Sequence, residues 1–337
     1  MLLSVLIPTY NTGRYVADCL ASVLDQTDWS TMEVLVCDDG STDDTIAEVE
    51  RVRARHPALQ LFRQPANAGP GATRNALLRQ ARGEYVFFVD ADDTVYPGVI
   101  ERLLKLLSTD APDLVLADYS ILSERDGRTV TTSEHVATFI GPARCRITDT
   151  STIVAGLMQA RRLHPWSKIA RRSLYRDGAM FPEQHVFEDV TMSIRLALAA
   201  RSALYTAERY IAYRKHASSV LGRMDPGKKL GLMASLDYPD LRARWQDLDG
   251  AARFHWAHFV ARNLIESIVY QRRHRLDRAF LATCDERYRR STPLSPAALA
   301  WGYLRRGWLW RLLRYGLRLA QLRLALMQPG RAAGAGA

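Results

Sequence analysis

Absences narrow the reading of this 337-residue chain first. No segment holds the 18 or so uncharged apolar residues that a membrane-spanning helix needs. The four cysteines, Cys19, Cys37, Cys145 and Cys284, stand far apart with no C-x-x-C pair. That spacing excludes a zinc ribbon, argues against a secreted disulfide scaffold, and reads as free thiols in a reducing compartment. H-E-x-x-H, G-x-S-x-G and G-x-x-x-x-G-K-[ST] are missing. Their absence argues against a zinc protease, an α/β-hydrolase and a P-loop NTPase. The opening MLLSVLIPTYN is apolar but has no basic n-region and stops at Pro8, too soon for a signal peptide. The expectation is a cytoplasmic protein.

What is present is an ordinary globular composition, 47% hydrophobic and 24% charged, with length for two domains. The charge is divided unevenly. Up to Pro226 there are 26 basic and 28 acidic residues, a net of −2; beyond it there are 20 and 8, a net of +12. A uniformly basic nucleic-acid binder is therefore not expected; a near-neutral catalytic module with a basic end is. The composition change falls at the DPG turn. It predicts a catalytic domain over 1–226, a basic helical region over 227–328 and a tail over 329–337 (PGRAAGAGA).

Short β-rich runs at 2–7, 33–37, 59–63 and 85–89 alternate with helical periodicity at 14–26, 43–56 and 71–82. This alternation predicts βαβ units and a parallel sheet. A further strand is expected at 113–119 and a helix at 190–200. Residues 123–150 are polar with weak periodicity, and 228–326 read as helical.

Several motifs sit where strands end. VFFV runs directly into Asp90-Ala-Asp92-Asp93. In open α/β sheets the ligand crevice lies beyond the strands' carboxyl ends, so Asp90 and Asp92 are expected to face it together. Carboxylates that close call for a hard cation such as Mg²⁺ or Mn²⁺, although a solvated turn with an N-cap explains the stretch equally well. CDDGSTD (37–43) is a candidate for accepting from a base or ribose, or else a glycine turn. NAGPGATRN (67–75) begins like a dinucleotide loop, but Arg74 stands where the third glycine belongs. Arg74 is placed to meet an anion instead. Glu188 and Asp189 open a helix, where acids are favoured by the dipole; either carboxylate in a cleft is also a candidate general base. Tyr213-Arg214-Lys215-His216 with Ser218 and Ser219 offers cations and hydroxyls for a diphosphate, and His216 is a candidate metal ligand or a packing residue.

Taken in order, these motifs resemble the family 2 glycosyltransferases. The resemblance runs through SVLIPTYN (4–11), CDDGSTDDT (37–45), NAGPGATRN, FVDADD (88–93), WSKIARRSL (166–174), FED (187–189) and YRKHASS (213–219). It covers roughly 1–225. Its later motifs are similar to members that build or decorate bacterial surface polysaccharides and wall teichoic acids. The resemblance implies a GT-A fold, an α/β, Rossmann-like, mostly parallel sheet flanked by helices, with a helical C-terminal region added. It implies an inverting, metal-dependent transfer from a nucleotide-diphosphate sugar, UDP by default with GDP and dTDP open, to a hydroxyl of a glycan or lipid-linked acceptor. By the same resemblance Pro8, Thr9 and Tyr10 line the nucleotide pocket, Asp39 recognises the base, and Asn67 and Arg74 hold the nucleoside. Asp90 and Asp92 form the D-x-D motif, with Asp92 the main Mn²⁺ or Mg²⁺ ligand. Asp189 is the base with Glu188 beside it, and Arg214, Ser218 and Ser219 close on the diphosphate. Many relatives have arginine where this chain has His216.

Two other classes stay in view: a nucleotidyltransferase, and a non-catalytic membrane-associated module that binds a nucleotide sugar. At the C-terminal end, seven arginines and no acid occur between Ser291 and Ala337. Arg311, Arg314 and Arg318 share a helical face, while Trp308, Leu312, Tyr315, Leu319 and Leu322 cover much of the rest and Arg323 departs from the basic face. Such a helix either lies on an anionic membrane through 291–326 or packs on the protein.

Overall fold

The computed structural model describes residues 1–125, 128–175, 180–183, 186–216 and 224–327. The chain divides into two compact units, Met1–Arg223 and Met224–Ala337. The 329–337 tail lies outside the described residues.

In the first unit the strands are β1 (Leu3–Thr9), β2 (Met32–Asp38), β3 (Gln60–Arg63), β4 (Tyr85–Phe88) and β5 (Thr94–Val95). They continue as β6 (Leu114–Arg125), β7 (Arg128–Val136), β8 (Arg146–Ile147), β9 (Lys168–Arg171) and β10 (Ala203–Lys215). The helices are α1 (Val16–Leu24), α2 (Thr45–Arg53), α3 (Pro70–Gln80), α4 (Val99–Thr109), α5 (Thr150–Ala160) and α6 (Glu188–Ala199). The sheet order is β3-β2-β1-β4-β9-β6-β10-β5, with β7 on β6 and β8 on β10.

The predicted βαβ units form β3-β2-β1-β4, and all their pairings are parallel. Strands this apolar have both faces covered: every residue of β2 and β4 is buried. Beyond β4 the sheet turns mixed. β9 runs antiparallel to both β4 and β6, while β6 and β10 are parallel. The expected strand at 113–119 extends to Arg125 and turns back as the β6–β7 hairpin. The polar, weakly periodic stretch is therefore partly strand. Helix α5 was not anticipated, yet Asp149 caps it by accepting from the Ser151 and Thr152 amides.

The second unit is helical throughout its described length, as the pattern over 228–326 predicts. It comprises α7 (Pro226–Ala234), α8 (Pro239–Ala243), α9 (Gly250–His274), α10 (Arg278–Ser291), α11 (Pro296–Arg305) and α12 (Leu309–Met327). Asp225, Asp249, Asp277 and Ser295 cap α7, α9, α10 and α11 through side-chain hydrogen bonds. No described helix is long and apolar enough to cross a membrane.

Candidate active site

Strand order reverses between β1 and β4: β2 and β3 lie to one side of β1, and β4 lies to the other. The crevice at such a switch point receives the carboxyl ends of both strands. Pro8 and Thr9 end β1 with Tyr10 just beyond, and Asp90 to Asp93 follow β4. Thr9 points inward, its hydroxyl against the Cys37 carbonyl and the Asp38 carboxylate, each at 3.3 Å. Tyr10 is exposed.

Two strand pairings bring distant motifs to the same place. Because β9 is antiparallel to β4, the turn that precedes it (Pro165–Ser167) lies at the carboxyl end of β4. Because β5 is antiparallel to β10, the end of β10 lies beside Asp92 and Asp93. The Arg214 amide donates to Asp93 Oδ1 at 2.8 Å, and its Nε donates to the Asp92 carbonyl at 2.9 Å. His216 Nε2 meets Asp92 Oδ2 at 2.8 Å. Asp93 is fully buried, and its Oδ2 has no partner among the described residues. Burial, then the charges of Asp92 and Asp90, pushes its carboxyl well above the usual range, while the Arg214 amide and guanidinium oppose the shift.

The α3 motif is a clamp between segments. A β-carbon at Gly71 would collide with the Pro182 carbonyl, so only glycine lets that backbone approach. One turn on, Asn75 closes the contact in both directions: its amide donates to the Phe181 carbonyl and its Oδ1 accepts from the Phe181 N–H, each at 2.9 Å. Arg74 lies between these residues, buried, bound to Asp90 Oδ1 at 2.9 Å and to Glu188. Gly71 and Asn75 thus tie α3 to the backbone at 181–182.

Phe187 holds a left-handed backbone, φ 78°, which turns the chain so that Glu188 and Asp189 open α6. A cavity of about 160 Å³ forms there; Arg74, Asp90, Asp92, Trp166, Asp189 and Tyr213 are among its lining. Burial, with the Glu188 charge beside it, raises the Asp189 carboxyl to about 7, and Arg74 opposes the shift. Burial likewise raises Asp90, with Arg74 opposing. On the opposite wall His164 stacks on Trp166, centroids 4.7 Å apart, and on Tyr213 at 5.9 Å. Burial, reinforced by Lys168, drives His164 down to about 3, so the ring is neutral at working pH. Lys168 itself donates to the Arg162 and His164 carbonyls and to Ser167 Oγ, anchoring that wall. The site thus joins a carboxylate tuned near neutrality to a second acidic group about a small cleft. A larger cavity, about 300 Å³, lies in the helical unit, but its ionic lining is the Asp285–Arg289 pair with Arg323 and holds no comparable constellation.

The sequence model described as Glycosyl transferase family 2 matches residues 4–177, more than half the chain. The chain belongs to glycosyl transferase family 2. The family member matches the uncharacterized glycosyltransferase YibD of Escherichia coli at 30% identity over 224 residues, 65% of this chain and 62% of YibD. It matches the glycosyltransferase GlyG of Streptococcus pneumoniae at 26% over 226 residues, 65% of this chain and 73% of GlyG. The chain therefore spans less than two thirds of the length of YibD. In fold it is similar to residues 1–349 of S. aureus TarS crystallised with UDP-GlcNAc: TM-score 0.67, 23% identity, 96% of this chain and 92% of that one.

Within this glycosyltransferase fold, Arg74, Asp90, Asp92, Glu188 and Asp189 come together about the cavity. Asp90 is engaged by Arg74, and the described residues hold no group of three His, Cys, Asp or Glu arranged for a metal. Asp92 and His216 are the pair that meets. Asp39 is buried, its carboxylate accepting from the Ala68 and Gly69 amides and Gln64 Nε2. Asn67 is exposed at the rim of that loop. Ser218 and Ser219 lie outside the described residues. Sequence reasoning missed Asn75 and His164. His164 stands two residues before Trp166, and an aromatic pair at that spacing ahead of a strand was the available signal.

Proposed function

We propose that this chain transfers a sugar with inversion from a UDP-sugar to a hydroxyl of a glycan or lipid-linked glycan acceptor. The observation that carries the reading is Asp189: a carboxylate raised to about 7 in the cavity that Asp90 and Asp92 also line. A base with that affinity is ionised in half its molecules near neutrality and still takes a proton well. Asp189 Oδ accepts the acceptor's hydroxyl proton as that oxygen forms a bond to the anomeric carbon. The bond from that carbon to the diphosphate oxygen breaks on the opposite face, and its electron pair leaves with the nucleoside diphosphate. Glu188 is buried against Arg74, so its part is to hold Arg74 and to raise Asp189. Family membership favours this reading over the nucleotidyltransferase alternative.

The Asp39 carboxylate has about four acceptor sites, three of them used, which leaves one for a base N–H. Arg214, fixed against the Asp92 carbonyl, supplies charge near the diphosphate. Asp92 and His216 fit a divalent cation, Mn²⁺ or Mg²⁺. They give one oxygen and one ring nitrogen within 2.8 Å of each other, and such ions take their remaining ligands from phosphates and water. When bound, the cation neutralises charge on the leaving diphosphate. Attachment to a membrane surface through 291–326 belongs to the same reading, because a lipid-linked acceptor resides there.

The test is a donor screen. Purified protein is incubated with a panel of nucleotide sugars and Mn²⁺, Mg²⁺ or EDTA, and nucleoside diphosphate release is measured. Metal-dependent turnover of one donor, lost in Asp92→Asn, is expected. No turnover together with no donor binding would end the catalytic reading.

A further inference from the structure

The helical unit carries a surface that sugar transfer does not use. On α12, Tyr315 and Leu322 point inward; Tyr315 is buried with its hydroxyl 2.6 Å from that of Tyr288. The opposite face is also apolar. Leu309, Trp310, Leu313, Leu317, Leu324 and Met327 are each between 56% and 77% exposed. Their spacing, mostly in steps of three, four and seven, puts them on one stripe. The apolar face expected from the sequence (Tyr315, Leu322) is thus the packing face, and a second one faces outward. Of the thirteen large hydrophobic side chains exposed among the described residues, eight lie between 301 and 327.

Arginines border this stripe. Arg311 and Arg314 are exposed and make no ion pair among the described residues; the Arg311 guanidinium sits 3.9 Å over the Trp308 ring. With Arg262 and His258 of α9 they line a cavity of about 140 Å³ that Trp310 borders. Its one carboxylate, Glu266, is already shared between Arg262 at 3.3 Å and Lys229 at 3.7 Å. The cavity is cationic and suits a phosphate group, which guanidinium forks recognise.

We infer that this face docks on an anionic lipid surface, with the α12 stripe entering the acyl boundary and one lipid phosphate seated between Arg262, Arg311 and Arg314. Charge selects this occupant. The sequence from Arg287 to Ala337 contains no acid, so two copies meeting through this face would set guanidinium against guanidinium. An anionic bilayer supplies apolar depth and negative charge together. The inference deepens the membrane half of the proposed function, yet vesicle binding is read without donor or acceptor.

The full chain is sedimented with vesicles of phosphatidylcholine alone and of equal parts phosphatidylcholine and phosphatidylglycerol, at low and high salt. Binding only to the anionic vesicles, weakened by salt, is expected. The triple variant Trp310→Ser/Leu313→Ser/Leu317→Ser abolishes it, and Arg311→Gln/Arg314→Gln weakens it by roughly thirty-fold. Both variants alter exposed side chains and keep the wild-type melting temperature. Wild-type binding that the triple variant retains overturns the inference. So does a dimer that this variant dissolves, or release from vesicles by millimolar inorganic phosphate, which would make free phosphate the ligand. Donor turnover without vesicle binding contradicts this inference and the membrane half of the proposed function but leaves sugar transfer standing; vesicle binding with neither turnover nor donor binding contradicts the transfer reading alone.

Discussion

The two units use charge in opposite ways. Through Pro226 the chain is nearly balanced, 26 basic against 28 acidic residues, and the carboxylates that matter are gathered and held. Arg74 is spent between Asp90 and Glu188, Arg214 is locked on the Asp92–Asp93 turn, and Asp189 rises towards neutrality. Beyond Pro226 the balance is 20 to 8, and cations such as Arg311 and Arg314 stand exposed beside an apolar stripe. Buried charge tunes neighbouring groups because the low dielectric makes each ion felt. Exposed charge does little for stability and is available to a partner.

Substitutions sharpen that contrast, beginning with the largest effect. Asp189→Asn should lower transfer by about 10²–10⁴ in kcat, the usual worth of a general base, measured as nucleoside diphosphate release. The same variant should change the pH dependence of stability. A carboxyl raised in the folded state binds its proton more tightly there. Its stabilising contribution is therefore complete below about 4 and is lost as pH rises through about 7. Melting curves should accordingly show Asp189→Asn gaining on wild type as pH rises from 5 to 8.

Arg74→Met should cost about 3–5 kcal/mol at pH 8, because it leaves two carboxylates without their buried cation. The loss should shrink as pH falls, because burial raises the Asp90 carboxyl and a protonated Asp90 no longer needs the cation; urea denaturation along a descending pH series reads it. Gly71→Ala should cost about 1–3 kcal/mol through its collision with the Pro182 carbonyl, and should loosen the 181–183 segment against α3. Arg314→Gln should change stability by less than about 0.5 kcal/mol, since the side chain is exposed and unpaired among the described residues. A large destabilisation there would erase the contrast between the units.

The β3-β2-β1-β4 core was legible because its strands are short apolar runs separated by amphipathic helices, a pattern that local sequence carries. The acidic residues after β4 and at the start of α6 were legible because each stands at an element's end. The antiparallel insertion of β9 was not: strand order is set by long-range pairing, which no local period records. For the same reason nothing in WSK announced that Trp166 would face Tyr213, or that Lys168 would tie down the His164 loop. Arg74 shows the converse. Its type and place suggested an anion partner, and the structure supplies two carboxylates from the protein itself. On α12 the amphipathic pattern was visible, but a helix apolar on two sides does not declare which side packs.

The most direct test of the account is the pH profile of turnover for wild type and Asp189→Asn with the donor found by screening, alongside donor binding at each pH. The account predicts a wild-type kcat that rises through about 7 as Asp189 loses its proton, and a low, flat profile for the variant with donor affinity unchanged. A variant that keeps wild-type kcat, or a wild-type profile flat from pH 5 to 9 with chemistry limiting, would contradict it.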